Sequence, residues 1–254
     1  MVRSAKGMSC FKVVAIIQAR MGSTRLPGKV LKKILNKPML QYVIDQVKYA
    51  TCIDDLVVAT TTNSKDEQIV EFCKNASVNC FRGSEDNVLS RYYHAAKKYS
   101  ADCVVRVCSD SPLIDPSIID RVVKIFTEDG ANYDYVSNTL NQTYPLGMNV
   151  EVFSLEALEK SFLNHAGEYQ REHVTPYIYQ NTNLFKIFKE QLEVDYSHLR
   201  LTVDEKQDFI LVKEIIKEIQ SINETFRMSD IIELYNSNPN LFLLNSNVVQ
   251  KNCF

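Results

Sequence analysis

No run of apolar residues in this chain approaches the roughly 18–20 that a helix needs to cross a bilayer. Neither sign of charge dominates: 29 Lys and Arg stand against 31 Asp and Glu, a net charge of −2. The first absence removes membrane-spanning helices. The second gives no ground for a nucleic-acid or anionic-membrane surface, so any basic site has to be local. The opening residues, MVRSAKGMSCFK, lack the apolar centre of a signal peptide and read as a short leader over 1–12, with Met8 a candidate start. CxxC pairs are also missing. The seven cysteines (Cys10, Cys52, Cys73, Cys80, Cys103, Cys108 and Cys253) are odd in number and scattered. Such usage fits reduced, mostly buried thiols in a cytoplasmic protein; Cys108 is the one candidate for a reactive cysteine. Two glycine-dependent phosphate motifs are absent as well. GxGxxG does not occur, and Gly22 with Gly28–Lys29 fails as a Walker A loop. Five residues separate its glycines where the motif has four, and Val30 stands where a metal-binding hydroxyl is needed.

What is present is a basic loop directly after an apolar run. Val13–Gln18 is mostly β-branched, as a strand buried on both faces requires. Arg20, Arg25 and Lys29 follow it among Gly, Ser, Thr and Pro. Strand-like and helix-like segments then alternate. Met39, Leu40, Val43, Ile44 and Val47 share one helix face, and DDLVVATTT reads as a strand. Ser64 with Glu67 forms a capping-box pattern for the next helix. Val78–Phe81 is a short strand, Val88–Tyr99 a helix, Asp102–Cys108 a strand and Ile118–Phe126 a helix. Four alternations in about 120 residues indicate an α/β fold with a mostly parallel sheet flanked by helices, whose ligands gather at the carboxyl ends of the strands. Beyond residue 133 the rhythm breaks. Tyr133–Ser137, TYPLGMNVEVF, Leu184–Lys189 and Leu199–Val203 read as strands of mixed direction. Helices are expected over Gln207–Gln220 and Ser229–Tyr235, and NSNPNLFLLNSN as a loose tail. The expected organisation is one domain over 13–220, with a small mixed-strand lobe within 138–190, followed by a C-terminal helix and tail over 221–254.

A basic loop at the end of a buried first strand suits a phosphate-wrapping role. Gly22 permits close backbone approach, Ser23 and Thr24 add donors, and the three cations neutralise a triphosphate; a merely solvated loop is the alternative. A triphosphate brings Mg²⁺, which takes one or two carboxylates along with phosphate and water. Asp110 follows the fourth strand and is the first candidate, against a turn-capping role before Pro112. Asp204, in HLRLTVDEKQDF, is the second; taken alone, it reads better as the N-cap of the next helix. Arg106 inside an apolar strand needs an acid or a phosphate, with a structural ion pair the favoured reading. His173, weighed as a general base, reads better as a structural or interface histidine. Glu151 alternates with Val150 and Val152, which points it into a cleft as an acceptor contact.

IIQARMGSTRLPGKVL, VVATTTN, FRGSEDNVLSRYYHAA, VVRVCSDSPLIDP, YPLGMNVEVFS, REHVTPYIY and HLRLTVDEKQDF occur in this order. Together they resemble the SpsF-type cytidylyltransferases of spore-coat polysaccharide synthesis, relatives of the Kdo and acylneuraminate cytidylyltransferases. The likeness runs from about Val13 to Ile219. It implies a nucleotide-diphospho-sugar transferase fold of the GT-A kind, transfer of CMP from CTP to a sugar acid such as a nonulosonic or Kdo-like acid, Mg²⁺ dependence and a homodimer. By resemblance, Ala19, Arg20, Gly22, Ser23, Thr24, Arg25 and Lys29 embrace the phosphates. Thr60, Arg82 and Asp86 frame base and ribose beside Ser109; Asp110 and Asp204 hold metal; Tyr144, Asn149 and Glu151 meet the acceptor. Two departures stand out: Ser109 precedes Asp110 where relatives usually carry Gly, and Asn149 stands where they carry Asp. Other readings are a phosphorylated acceptor, a glycosyltransferase on the same fold, for which SDSP offers one acid where a DxD motif needs two, and a non-catalytic nucleotide-binding protein.

Overall fold

A computed structural model describes residues 11–128, 132–220 and 225–250. Met8, Cys10, Cys253 and nearly all of the expected leader lie outside them. β1 (Val13–Gln18) lies inside a seven-stranded sheet, third from one edge. β4 (Asp55–Thr61) and then β5 (Asn79–Gly83) lie on one side of it; β6 (Cys103–Cys108), β8 (Glu151–Ser154), β7 (Tyr135–Ser137) and β9 (Ile187–Lys189) follow on the other. The pairs β1–β4, β4–β5 and β1–β6 are parallel, and β8 runs antiparallel to both β6 and β7. A small hairpin, β2 (Lys33–Ile34) with β3 (Lys37–Pro38), stands apart.

The side-chain period of β1 divides the core. Val13, Ala15 and Ile17 pack with α1 (Met39–Tyr49), α4 (Pro116–Thr127) and α8 (Lys206–Gln220). Val14 and Ile16 face α3 (Val88–Lys98), α5 (Leu155–Asn164) and α7 (Pro176–Gln180). Because β4 and β6 leave β1 in opposite directions, the sheet has a topological switch point there, and a crevice opens above the carboxyl ends of β1 and β6. The remaining helices are α2 (Glu67–Asn75), α6 (Gly167–His173) and α9 (Met228–Ser237). Among the described residues no helix is long and apolar enough to cross a membrane.

Four expectations need correction. The capping group before α2 is Asn63, whose side chain accepts from the Lys65 N–H, and not Ser64. In TYPLGMNVEVF only Glu151 onward joins the sheet, because Gly147 (φ +102°) turns the chain away from a strand path. The segment Leu199–Val203 contributes a single parallel bridge, Leu146 with Arg200. The tail is also packed: residues Pro239–Asn245 form a 3₁₀ helix that buries Phe242 and Asn245.

Candidate active site

The basic loop is shaped by its own backbone. The amides of Ser23 and Gly28 both donate to the Met21 carbonyl, at 2.9 and 3.1 Å, and Gly28 adopts a left-handed conformation (φ +67°) before the turn Lys29–Leu31. Buried Asp66, outside the sequence reading, ties the loop down by accepting from the Met21 amide at 2.7 Å and from Thr61 Oγ1.

This fold brings Lys29 into the crevice. Its ammonium donates to the Val203 carbonyl (2.6 Å), Asp204 Oδ1 (3.0 Å) and Asp110 Oδ2 (3.2 Å). Burial by itself lowers the pKa of Lys29, but Asp110 and Asp204 outweigh it and hold the pKa above the ordinary lysine value. Arg25 Nη2 reaches the same Asp204 Oδ1 at 3.2 Å, and Arg200 Nη2 takes Asp204 Oδ2 at 3.0 Å. Against the desolvation that raises it, these cations hold the Asp204 carboxyl below its usual value.

Asp204 is not the cap of α8. Asp208 is fully buried and accepts the backbone amides of Asp204 (3.0 Å) and Glu205 (2.9 Å). Arg200 grips both oxygens of Asp208, and Asn245 of the packed tail donates to it at 2.9 Å. Upstream, Val203 donates its amide to the Asp110 carbonyl at 2.8 Å, which sets the two acids side by side.

These groups open onto a cavity of about 430 Å³ lined by Arg20, Ser23, Thr24, Arg25, Lys29, Asp86, Ser109, Asp110 and Asp204. Those nine expected residues, with Ala19, are thus brought together. Others are not. Thr60 is fully buried within β4 and its hydroxyl has no partner among the described residues. Arg82 braces the strand ends, donating to the carbonyls of Thr61 and Asn63 and to Glu67. Gly22 sits in the loop outside the cavity wall, and so does Asn149, whose Oδ1 is 3.4 Å from Gln142 Nε2. Tyr144 is buried and donates to Glu190 at 3.2 Å. Glu151 is turned inward, accepting from Arg106, from Tyr135 Oη (2.6 Å) and from Thr175 Oγ1 (2.6 Å).

The cavity also has a wall that the sequence did not single out as a site. Gln18, Glu85 and Arg91 line it with Arg106, and α6 contributes Glu168, Glu172 and His173; of these, Arg106 and His173 read from the sequence as structural. No residue of α6 is buried, and the helix is bracketed by Gly167 (φ +82°) and Val174 (φ +73°). A positive φ at a β-branched residue is strained. Burial holds the His173 pKa below its ordinary value, opposed by Glu172. Cys108, the candidate reactive cysteine, has its pKa pushed up to about 12 by burial, so its thiol stays protonated at neutral pH.

Among the described residues no group of three or more His, Cys, Asp or Glu gathers as a metal site. The donor set nevertheless suits Mg²⁺. Asp110 and Asp204 converge on one cationic nitrogen, and two carboxylates are enough for this ion when phosphate and water fill the other positions.

Comparison with known proteins shows the family. The profile of the cytidylyltransferases matches residues 14–248. The chain is 32% identical over 234 residues to the spore coat polysaccharide biosynthesis protein SpsF of Bacillus subtilis, covering 89% of this chain and 95% of that one. A mitochondrial 3-deoxy-manno-octulosonate cytidylyltransferase of Arabidopsis thaliana is 43% identical over 117 residues, covering 44% of this chain and 39% of its own. The solved structure of a cytidylyltransferase from Leptospira borgpetersenii superposes with a TM-score of 0.88 at 35% identity, over 95% of this chain and 99% of that one.

Proposed function

The chain belongs to the cytidylyltransferase family, and on that premise we propose that it transfers CMP from CTP to a sugar acid, releasing pyrophosphate, in the synthesis of a surface polysaccharide or glycan. The observation that carries the reading is the meeting of Lys29 with Asp110 and Asp204 at the wall of a cavity rimmed by Arg20 and Arg25. Such a site positions a polyanion and neutralises charge, which is most of what phosphoryl and nucleotidyl transfer asks of a protein.

The acceptor hydroxyl attacks the α-phosphorus. An oxygen–phosphorus bond forms, the bond to the pyrophosphate oxygen breaks, and the hydroxyl proton passes to solvent. Arg20, Arg25 and Lys29 oppose the charge growing on the leaving group. Asp110 and Asp204 would hold Mg²⁺, which supplies further neutralisation of the phosphate oxygens. With Tyr144 and Glu151 committed to buried hydrogen bonds, the acceptor side of the cavity falls to Gln18, Arg106 and the α6 residues. Arg106 supplies the cation suited to an acceptor carboxylate. A homodimer working in the cytoplasm completes the proposal.

The test is pyrophosphate release from CTP with a panel of sugar acids, with and without Mg²⁺. Release that needs both the acid and the metal supports the proposal. Turnover only with phosphorylated sugars, or binding with no release, overturns it. Light scattering checks the dimer.

A further inference from the structure

Along this cavity the enclosed cations Lys29 and Arg106 each have an acid: Asp110 and Asp204 for the first, Glu151 for the second. Arg91 has none. It is 2% exposed, lines the cavity, forms no ion pair with any described residue, and its Nε–H meets no acceptor. Its Nη1 donates to the Ser84 carbonyl. Burial without a paired acid pushes its pKa down from the ordinary arginine value. Arg91 also lies in the first turns of α3, where the helix dipole disfavours a cation. A buried, unpaired guanidinium is costly for the ligand-free protein. That cost makes sense when a ligand supplies the missing acceptors.

Position identifies which part of the ligand this is. Arg91 holds the Ser84 carbonyl just past β5, whereas Lys29 meets Asp110 just past β6, and β4 and β1 lie between those two strands. Arg91 therefore marks the end of the cavity away from the Lys29 cluster. With the phosphate chain at the Lys29 end, the far end receives the base. Ala19 and Val88 give that end apolar wall for a flat ring.

We propose that Arg91 reads the base of the bound nucleotide, its guanidinium donating to the O2 and N3 acceptors on one edge of cytosine. This rests on the cytidylyltransferase reading above and adds the selecting residue to it. Uracil carries an N3–H at that edge, so donor meets donor and the base is rejected. Glu85, at the same end, presents an acceptor suited to the 4-amino group that only cytosine has.

Isothermal titration of CTP, UTP and ATP against the whole protein, and of CTP and UTP against its Arg91→Met and Arg91→Lys variants, tests this, alongside melting of each without nucleotide. The wild type is expected to prefer CTP. Arg91→Met should weaken CTP roughly 10- to 100-fold, the scale of a hydrogen bond to a charged group, with UTP changed far less. Its ligand-free melting temperature should hold or rise, because an unpaired buried cation is gone. Arg91→Lys keeps the charge without the fork and should also lose discrimination; it carries the test if the Met variant does not fold. Equal losses for CTP and UTP would make Arg91 a phosphate contact and overturn the proposal. So would a fall in melting temperature with the CTP-to-UTP ratio intact, which means that the residue only holds the Ser84 turn. A wild type that binds a purine triphosphate ahead of CTP defeats the functional reading itself, and the role of Arg91 with it.

Discussion

Lys29 and Asp204 stand 175 positions apart in the chain, yet Lys29 Nζ lies 3.0 Å from Asp204 Oδ1 and 2.6 Å from the carbonyl just before it. The ammonium acts as a rivet between the first loop of the sheet and the segment leading into α8.

Lys29→Ala should therefore harm both stability and turnover. Two partly buried carboxylates lose their shared cation, a loss of about 3 kcal/mol by analogy with broken buried pairs. Turnover with CTP should fall on the order of 10²- to 10³-fold. Urea melts and a pyrophosphate-release assay measure the two effects. Near-normal turnover in both Lys29→Ala and Asp110→Ala would remove the site assignment.

Asp208→Ala should act at a distance. Asp208 touches no cavity space; it accepts Arg200, Asn245 and the two amides that shape the Asp204 turn. Its loss leaves Arg200 with Asp204 as the remaining acid and frees the tail, at about 3 kcal/mol. The expected kinetic signature is a lower turnover number. Asp208→Asn, which keeps acceptor oxygen for the amides, should recover part of it.

Arg106 and Glu151 form a coupled pair across β6 and β8. Glu151→Ala strands the guanidinium and should cost about 3–5 kcal/mol, whereas Arg106→Met with Glu151→Leu should cost much less than the sum of the single changes. A double-mutant cycle by chemical denaturation reads the coupling. Additive losses would mean that the pair contributes independently.

His173 gives the stability curve a direction on the pH axis. Its folded pKa lies below the unfolded value, so the unfolded chain takes up the proton more readily. The stability tied to the neutral ring is fully present above the unfolded pKa, about 6.5, and is lost as pH falls through it toward the folded value. Melting temperatures from pH 7.5 to 5.5 should fall in the wild type and fall less in His173→Gln. Parallel curves would show that the ring contributes nothing to the slope.

Much of the fold was legible because the first 120 residues follow two simple periods. β1 alternates its side chains between two cores, and every apolar position read onto α1 is buried. The site was legible where charge stands out of place, as at Lys29 and Asp110. It was not legible where meaning comes from a contact made late in the chain. Asp204 looks like a helix cap until its two oxygens are seen taken by Lys29, Arg25 and Arg200. Glu151 alternates like a cleft residue, but β7 and α7 close over it and supply its hydroxyl partners. Arg91 reads as an ordinary polar residue in a helix, and that no described acid forms an ion pair with it becomes visible only in three dimensions. The tail misled through composition: Asn, Ser and Pro suggest a loose end, yet Phe242 and Asn245 are buried.

At Gly147 a β-carbon would come within 2.7 Å of both the Leu201 carbonyl carbon and the Thr202 nitrogen, and its φ of +102° already excludes most side chains. No rotamer relieves a clash with main chain. A saturation library at this codon should return glycine alone among active clones, and alanine should fail as fully as tryptophan. A residue with no chemistry of its own thus sets how closely the chain passes the segment that leads to Asp204.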